Sequence, residues 1–134
     1  MNEQDTIGLM VIVSPVLWSS DYMGRIGLIE FAEFADDHFW VRFEDEEIDC
    51  FRSETLFILR TPGELQSLAE NKKGSLWAPI PQLLQKIAGM QEAGSAKQLK
   101  QAFELVQDDP ELHRWATTRL NEVIEIAPTR KIGR

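Results

Sequence analysis

His38-Phe39-Trp40-Val41-Arg42-Phe43-Glu44 is the stretch whose reading decides the fold. Phe39, Val41 and Phe43 alternate with His38, Trp40, Arg42 and Glu44. Successive side chains of an extended chain point to opposite faces, so this spacing predicts a half-buried antiparallel strand with an apolar inner face. Asp45-Glu46-Glu47 then turns the chain, and Ile48 to Arg52 returns as the hairpin partner. Upstream, Ala35-Asp36-Asp37 is a turn, preceded by an extended stretch from Gly24 to Phe31. There Ile26, Leu28 and Glu30 share one face, and Gly27, Ile29 and Phe31 the other. Farther out, Ile7 to Val13 is a β-branched apolar run stopped by Ser14-Pro15, and Pro15 to Met23 is a long loop. Thr55 to Leu59 is a last short strand. Five short strands within 60 residues, with Gly24 and Gly27 placed for bends, predict a small five-stranded antiparallel barrel-like sheet.

Composition changes at Arg60, after which the helix formers Leu, Gln, Lys, Glu and Ala dominate. Thr61-Pro62-Gly63-Glu64 supplies an N-cap, a proline at the first helical position and a glutamate for a capping box. Lys72, Lys73 and Gly74 end that helix. Pro81 opens a second helix, with Ile80, Leu83, Leu84 and Ile87 at helical spacing and Gly89 and Gly94 bracketing its end. Ser95-Ala96-Lys97-Gln98 is another capping box, and Asp108-Asp109-Pro110 stops one helix and caps the next. Leu112, Trp115, Ala116, Leu120, Val123 and Ala127 give the last helix its buried face, before Pro128 ends it. The fold expected is α+β: a barrel-like domain over residues 1–60 and a helical region of three or four helices over 61–134. The helices either share the core of the barrel or stand as a second close lobe.

The chain has 134 residues, a formal net charge of −8 and a pI of about 4.7. That charge repels phosphate backbones and anionic membrane surfaces. The N-terminus is polar and acidic, without a signal pattern, and no apolar run reaches the ~18 residues of a membrane span. A cytoplasmic protein with no membrane partner is expected. Cys50 is the single cysteine, so no internal disulfide forms, and its apolar neighbours Ile48 and Phe51 predict a buried, inert thiol.

The apolar strand Leu9 to Val13, the long loop after it, Gly24-Arg25-Ile26-Gly27-Leu28-Ile29, Phe39-Trp40-Val41-Arg42-Phe43-Glu44-Asp45 and the closing Leu56 to Leu59 go together. With them, residues 6–60 resemble the Tudor and KOW small-barrel superfamily. Such barrels often carry a glycine pair and then a V-x-F-x-D-G hairpin; here Glu46 stands where the hairpin glycine would be. The resemblance implies binding of protein, peptide or nucleic acid rather than catalysis.

Trp18 and Tyr22 in the long loop, and Trp40 on the outer strand face, are the candidate binding aromatics. With Arg42, Asp45 and Glu46 beside them they compose a groove for a cationic or apolar segment of a partner protein. The competing reading buries Trp18 and Trp40 under the helices in one shared core. His38 and His113 have no metal-ligand spacing with Cys50 or the nearby aspartates, and Glu44 to Asp49 lacks the spacing of a calcium loop. Gly24-Arg25-Ile26-Gly27 is no phosphate loop, and no serine sits in a nucleophile motif. No catalytic residue, metal or cofactor is therefore expected. The function expected is a non-catalytic protein-interaction module, a cytoplasmic adaptor or regulator. The alternative is a nucleic-acid-associated factor using Arg25, Arg42 and Trp40, which the net charge disfavours. An uncovered helix stripe is compatible with a homodimer.

Overall fold

The computed structural model describes residues 1–16, 21–72 and 79–124. Among them, six strands form one open antiparallel sheet: β1 (Met10–Val13), β2 (Ile26–Glu33), β3 (His38–Phe43), β4 (Ile48–Phe51), β5 (Leu56–Leu59) and β6 (Thr117–Arg119). Their order is β4-β3-β2-β1-β5-β6. The helices are α1 (Glu3–Thr6), α2 (Pro62–Asn71), α3 (Pro79–Ala93), α4 (Ala96–Gln107) and α5 (Pro110–Ala116). The chain is α+β, but the expected five-stranded barrel is corrected. β6 occupies the edge of β5 that a barrel would need for closure, so the sheet stays open, with β4 and β6 at its edges. No described helix is long and apolar enough to cross a membrane.

Two compact units are present. One comprises Met1–Ile58 and the segment that begins at Arg119; the other is Leu59–Thr118. The first has a core built on the inner sheet face. Val11 and Val13 come from β1, Ile29 and Ala32 from β2, Phe39, Val41 and Phe43 from β3, Phe51 from β4, and Leu56 and Ile58 from β5. Leu120 and Ile124 join this core, which explains why the chain returns to the unit after the helices. β1 is a near-continuous apolar run because it lies inside the sheet, and Val11, Ile12 and Val13 are all buried.

Local chemistry sets the ends of the helices in the second unit. Thr61 and Glu64 close the expected capping box: Thr61 Oγ1 accepts the Glu64 N–H at 3.2 Å, and Glu64 Oε1 accepts the Thr61 N–H at 2.9 Å. Ser95 accepts the Gln98 N–H at 3.1 Å, and Asp109 accepts the N–H groups of Glu111 and Leu112. Leu65 and Ala69 of α2, Ile80, Leu84, Ile87 and Ala88 of α3, Ala102, Phe103 and Val106 of α4, and Leu112 and Ala116 of α5 are buried. α3 packs against α2, α4 and α5.

Two helix boundaries differ from expectation. α3 starts at Pro79, not Pro81, and runs through Gly89 to Ala93. Gly94, in the left-handed region at φ 80°, ends it. The last helix stops at Ala116. Thr117 and Thr118 are β-branched and low in helix propensity, and the Thr117 hydroxyl donates back to the His113 carbonyl at 2.6 Å. Leu120 and Val123 therefore lie on a 3-10 turn (Leu120–Glu122) and its cap. Lys73, Gly74, Ala127 and Pro128 lie outside the described residues.

Candidate binding face

β3 alternates as its sequence requires: Phe39, Val41 and Phe43 are buried, while His38, Trp40 and Arg42 lie on the outer face. β2 does not keep its phase. Ile29 pairs with Val41, yet Phe31, two residues on, pairs with Trp40, one residue back. Glu30 is the extra residue of a β-bulge, which shifts every later side chain of β2 to the other face. Unbroken alternation puts Phe31 on the face of Gly27 and Ile29; the bulge places it on the opposite, outer face, 52% exposed, and buries Ala32 in its stead.

The outer face is therefore apolar along two rows. Phe31, Trp40 and Cys50 lie opposite one another across β2, β3 and β4, and Leu28, Arg42 and Ile48 form the adjacent row. The Phe31 and Trp40 rings are tilted at 52° with centroids 5.5 Å apart, and His38 meets Trp40 edge-on at 5.5 Å. Leu28 and Ile48 are also exposed. Beside them an open groove of about 280 Å³ is lined by Ile7, Gly8, Leu28, Ile29, Glu30 and Arg42.

Cys50 corrects an expectation: it is exposed, not buried. β4 is an edge strand, and Cys50 sits on its outer face opposite Trp40. Partial burial, with Asp49 and Glu33 nearby, pushes the thiol above its usual value, so the group is a poor nucleophile.

The proposed site residues do not converge. Trp18 lies outside the described residues. Tyr22 stacks face to face on Phe43, with centroids 4.4 Å apart and planes 7° apart, and meets Phe51 edge-on at 6.4 Å. Phe43 belongs to the inner face of β3 and Trp40 to the outer, so Tyr22 and Trp40 are held on opposite sides of the strand. The Tyr22 hydroxyl donates to Glu47 Oε1 at 3.1 Å; desolvation and then this bond raise its phenol above the usual value.

Arg42 is fully engaged. Glu30 takes its Nε and Nη2 in a fork, and Glu46 takes Nη1 at 3.2 Å. The bond to Glu30, above all, raises the guanidinium further above its ordinary value. Asp45 pairs with Arg25 at 3.2 Å, and the Glu47 N–H, ahead of Arg25, holds its carboxyl below the usual range. Arg25 itself lies over the rings of Tyr22 and Phe43, at 5.1 and 5.0 Å. Glu46 occupies the left-handed region at φ 69°, so it adopts the conformation for which glycine is the usual residue. The Phe43 N–H bonds to the Glu47 carbonyl, and the Glu46 N–H to the Phe43 carbonyl, both at 2.9 Å, which makes a three-residue loop.

At the other end of the face, β2 and β3 are joined by a 3-10 turn (Phe34–Asp36), with Asp37 in the left-handed region at φ 55°. Asp37 Oδ1 accepts the Ser53 N–H at 3.1 Å and pins the turn. Glu33, Asp36 and His38 each bring a donor atom within 4.8 Å of the others there. They are solvent-accessible, and exposed acidic groups commonly gather without an ion.

Charge is divided unequally along the chain. Residues 1–58 carry thirteen carboxylates against three arginines and no lysine, whereas residues 59–118 carry seven groups of each sign. All three arginines are ion-paired: Arg25 with Asp45, Arg42 with Glu30 and Glu46, and Arg52 with Asp37. Sequence reasoning missed this asymmetry, which a count on either side of Arg60 would have revealed. It also missed Leu28, Phe31 and Ile48 as site residues. No periodicity discloses a one-residue bulge.

No protein-family model matches the chain, and no curated protein or solved structure is detectably similar to it.

Proposed function

We propose that this protein is a non-catalytic interaction module, a cytoplasmic adaptor or regulator, that binds a partner protein through the outer face of β2, β3 and β4. One observation carries the reading. The Glu30 bulge turns Phe31 outward beside Trp40, and Leu28 and Ile48 extend the exposed apolar surface. Monomeric proteins seldom leave several large apolar side chains side by side in water, and aromatic residues are enriched where partners bind. The resemblance to Tudor and KOW barrels agrees with a binding role, although the open sheet departs from a barrel.

A nucleic-acid role has less support. Its arginines are committed to carboxylates, and Arg25 packs against the inner-face residue Phe43, away from Trp40. A random-peptide display library, panned against the wild-type chain and a Phe31→Ser/Trp40→Ser variant, tests the proposal. A set of peptides that bind the wild type and not the folded variant is expected. If every recovered binder keeps its affinity for the variant, this face is not the binding site.

A further inference from the structure

We infer that the partner segment bound by this face is cationic and amphipathic, laid across β2, β3 and β4 with its apolar side on Leu28, Phe31, Trp40 and Ile48. The inference rests on the interaction reading above and adds the chemistry of the occupant. Charge complementarity carries it. Residues 1–58, which bear the face, hold thirteen carboxylates and three arginines, and those three arginines are all ion-paired. The face itself is bounded by acid at both ends. Glu33 and Asp36 lie beside His38, which touches Trp40, and Glu46 and Glu30 flank Arg42 in the row of Leu28 and Ile48. An acidic or neutral segment would bury its apolar side against the same rows but gain nothing from this rim. A second copy of the chain would bring the same carboxylates against their like. A segment with apolar groups on one side and cations on the other satisfies both features. An extended peptide of alternating residues has that form.

Cys50 provides the test, because it is the single cysteine, is exposed, and lies opposite Trp40 on the face. The rate of its alkylation by a maleimide is measured on the full chain with three peptides of equal length. One alternates lysine and leucine, one glutamate and leucine, and one lysine and serine. The lysine–leucine peptide is expected to slow alkylation about tenfold at ten times its dissociation constant, by mass action. The effect weakens as salt screens the rim, and in Phe31→Ser and Glu33→Gln/Asp36→Asn variants that remain folded.

Equal protection by the glutamate–leucine or the lysine–serine peptide overturns the inference. So does protection that grows with protein concentration alone, or protection by a single-stranded oligonucleotide. Faster alkylation without peptide when Arg130, Lys131 and Arg134 are changed to serine assigns the face to the chain's own terminus, and overturns it as well. Panning separates the two levels. Face-dependent library binders poor in lysine and arginine sink this inference and leave the interaction reading standing; no face-dependent binders at all sinks both.

Discussion

Tyr22 lies flat on Phe43, with centroids 4.4 Å apart and planes 7° apart, so its ring packs against the inner-face core. The stack makes Tyr22 a packing residue. Tyr22→Ala is expected to cost about 1–3 kcal/mol, from lost apolar burial and the aromatic pair. Tyr22→Phe loses an exposed bond to Glu47 and should stay within about 0.5 kcal/mol of wild type. Urea unfolding of the two variants checks this.

Glu46 holds a left-handed conformation that costs an ordinary residue about 1–2 kcal/mol. Its exposed pairing with Arg42 returns little. Glu46→Gly is therefore expected to raise stability by up to about 1 kcal/mol, with the apparent melting temperature as the readout. A fall in melting temperature would mean that the Arg42 network outweighs the backbone term.

Gly27 has no room for a side chain. A Cβ built on it would lie 2.5 Å from Val41 Cγ1 and 2.8 Å from the Arg42 carbonyl oxygen. Gly27→Ala should destabilise by about 1–3 kcal/mol, because β2 and β3 must part or Val41 must leave its rotamer. Denaturant titration, with Gly63→Ala as a control where nothing lies within 4 Å, separates overpacking from backbone effects.

Phe31 is exposed in the unbound chain, so Phe31→Ser should cost less than about 1 kcal/mol in unfolding experiments. The same change should abolish binding of face-dependent peptides. A large loss of stability would place Phe31 in the core and remove it from the site.

Burial holds the His113 imidazole below its usual value. The unfolded chain then binds the proton more readily than the folded one, so stability is complete above the unfolded pKa of about 6.5. It falls as pH drops below that, until the folded group titrates. His113→Gln should flatten this part of a melting-temperature profile below about pH 6.5. An unchanged slope would assign the dependence to the carboxylates.

Much of the sheet was legible because its evidence is local. Alternation from His38 to Phe43 places Phe39, Val41 and Phe43 inside and Trp40 outside, whatever the partner strands do. The capping chemistry at Thr61, Ser95 and Asp109 likewise depends on residues three or fewer positions away. The site was less legible. Tyr22 and Trp40 look like neighbours in a list of aromatics, but strand parity sets them on opposite faces, and nothing in the loop sequence says that Tyr22 will choose Phe43.

By itself, then, the sequence determined the α+β class, the strand and helix chemistry and the acidic character, since propensity, periodicity and charge are properties of neighbouring residues. Only the tertiary structure decided that the sheet is open, that Leu120 and Ile124 return to the first unit, and that Phe31 faces solvent beside Trp40. Each of these depends on pairing between residues distant in the chain. One unpaired residue at Glu30 reverses a whole face without leaving a mark in the local pattern.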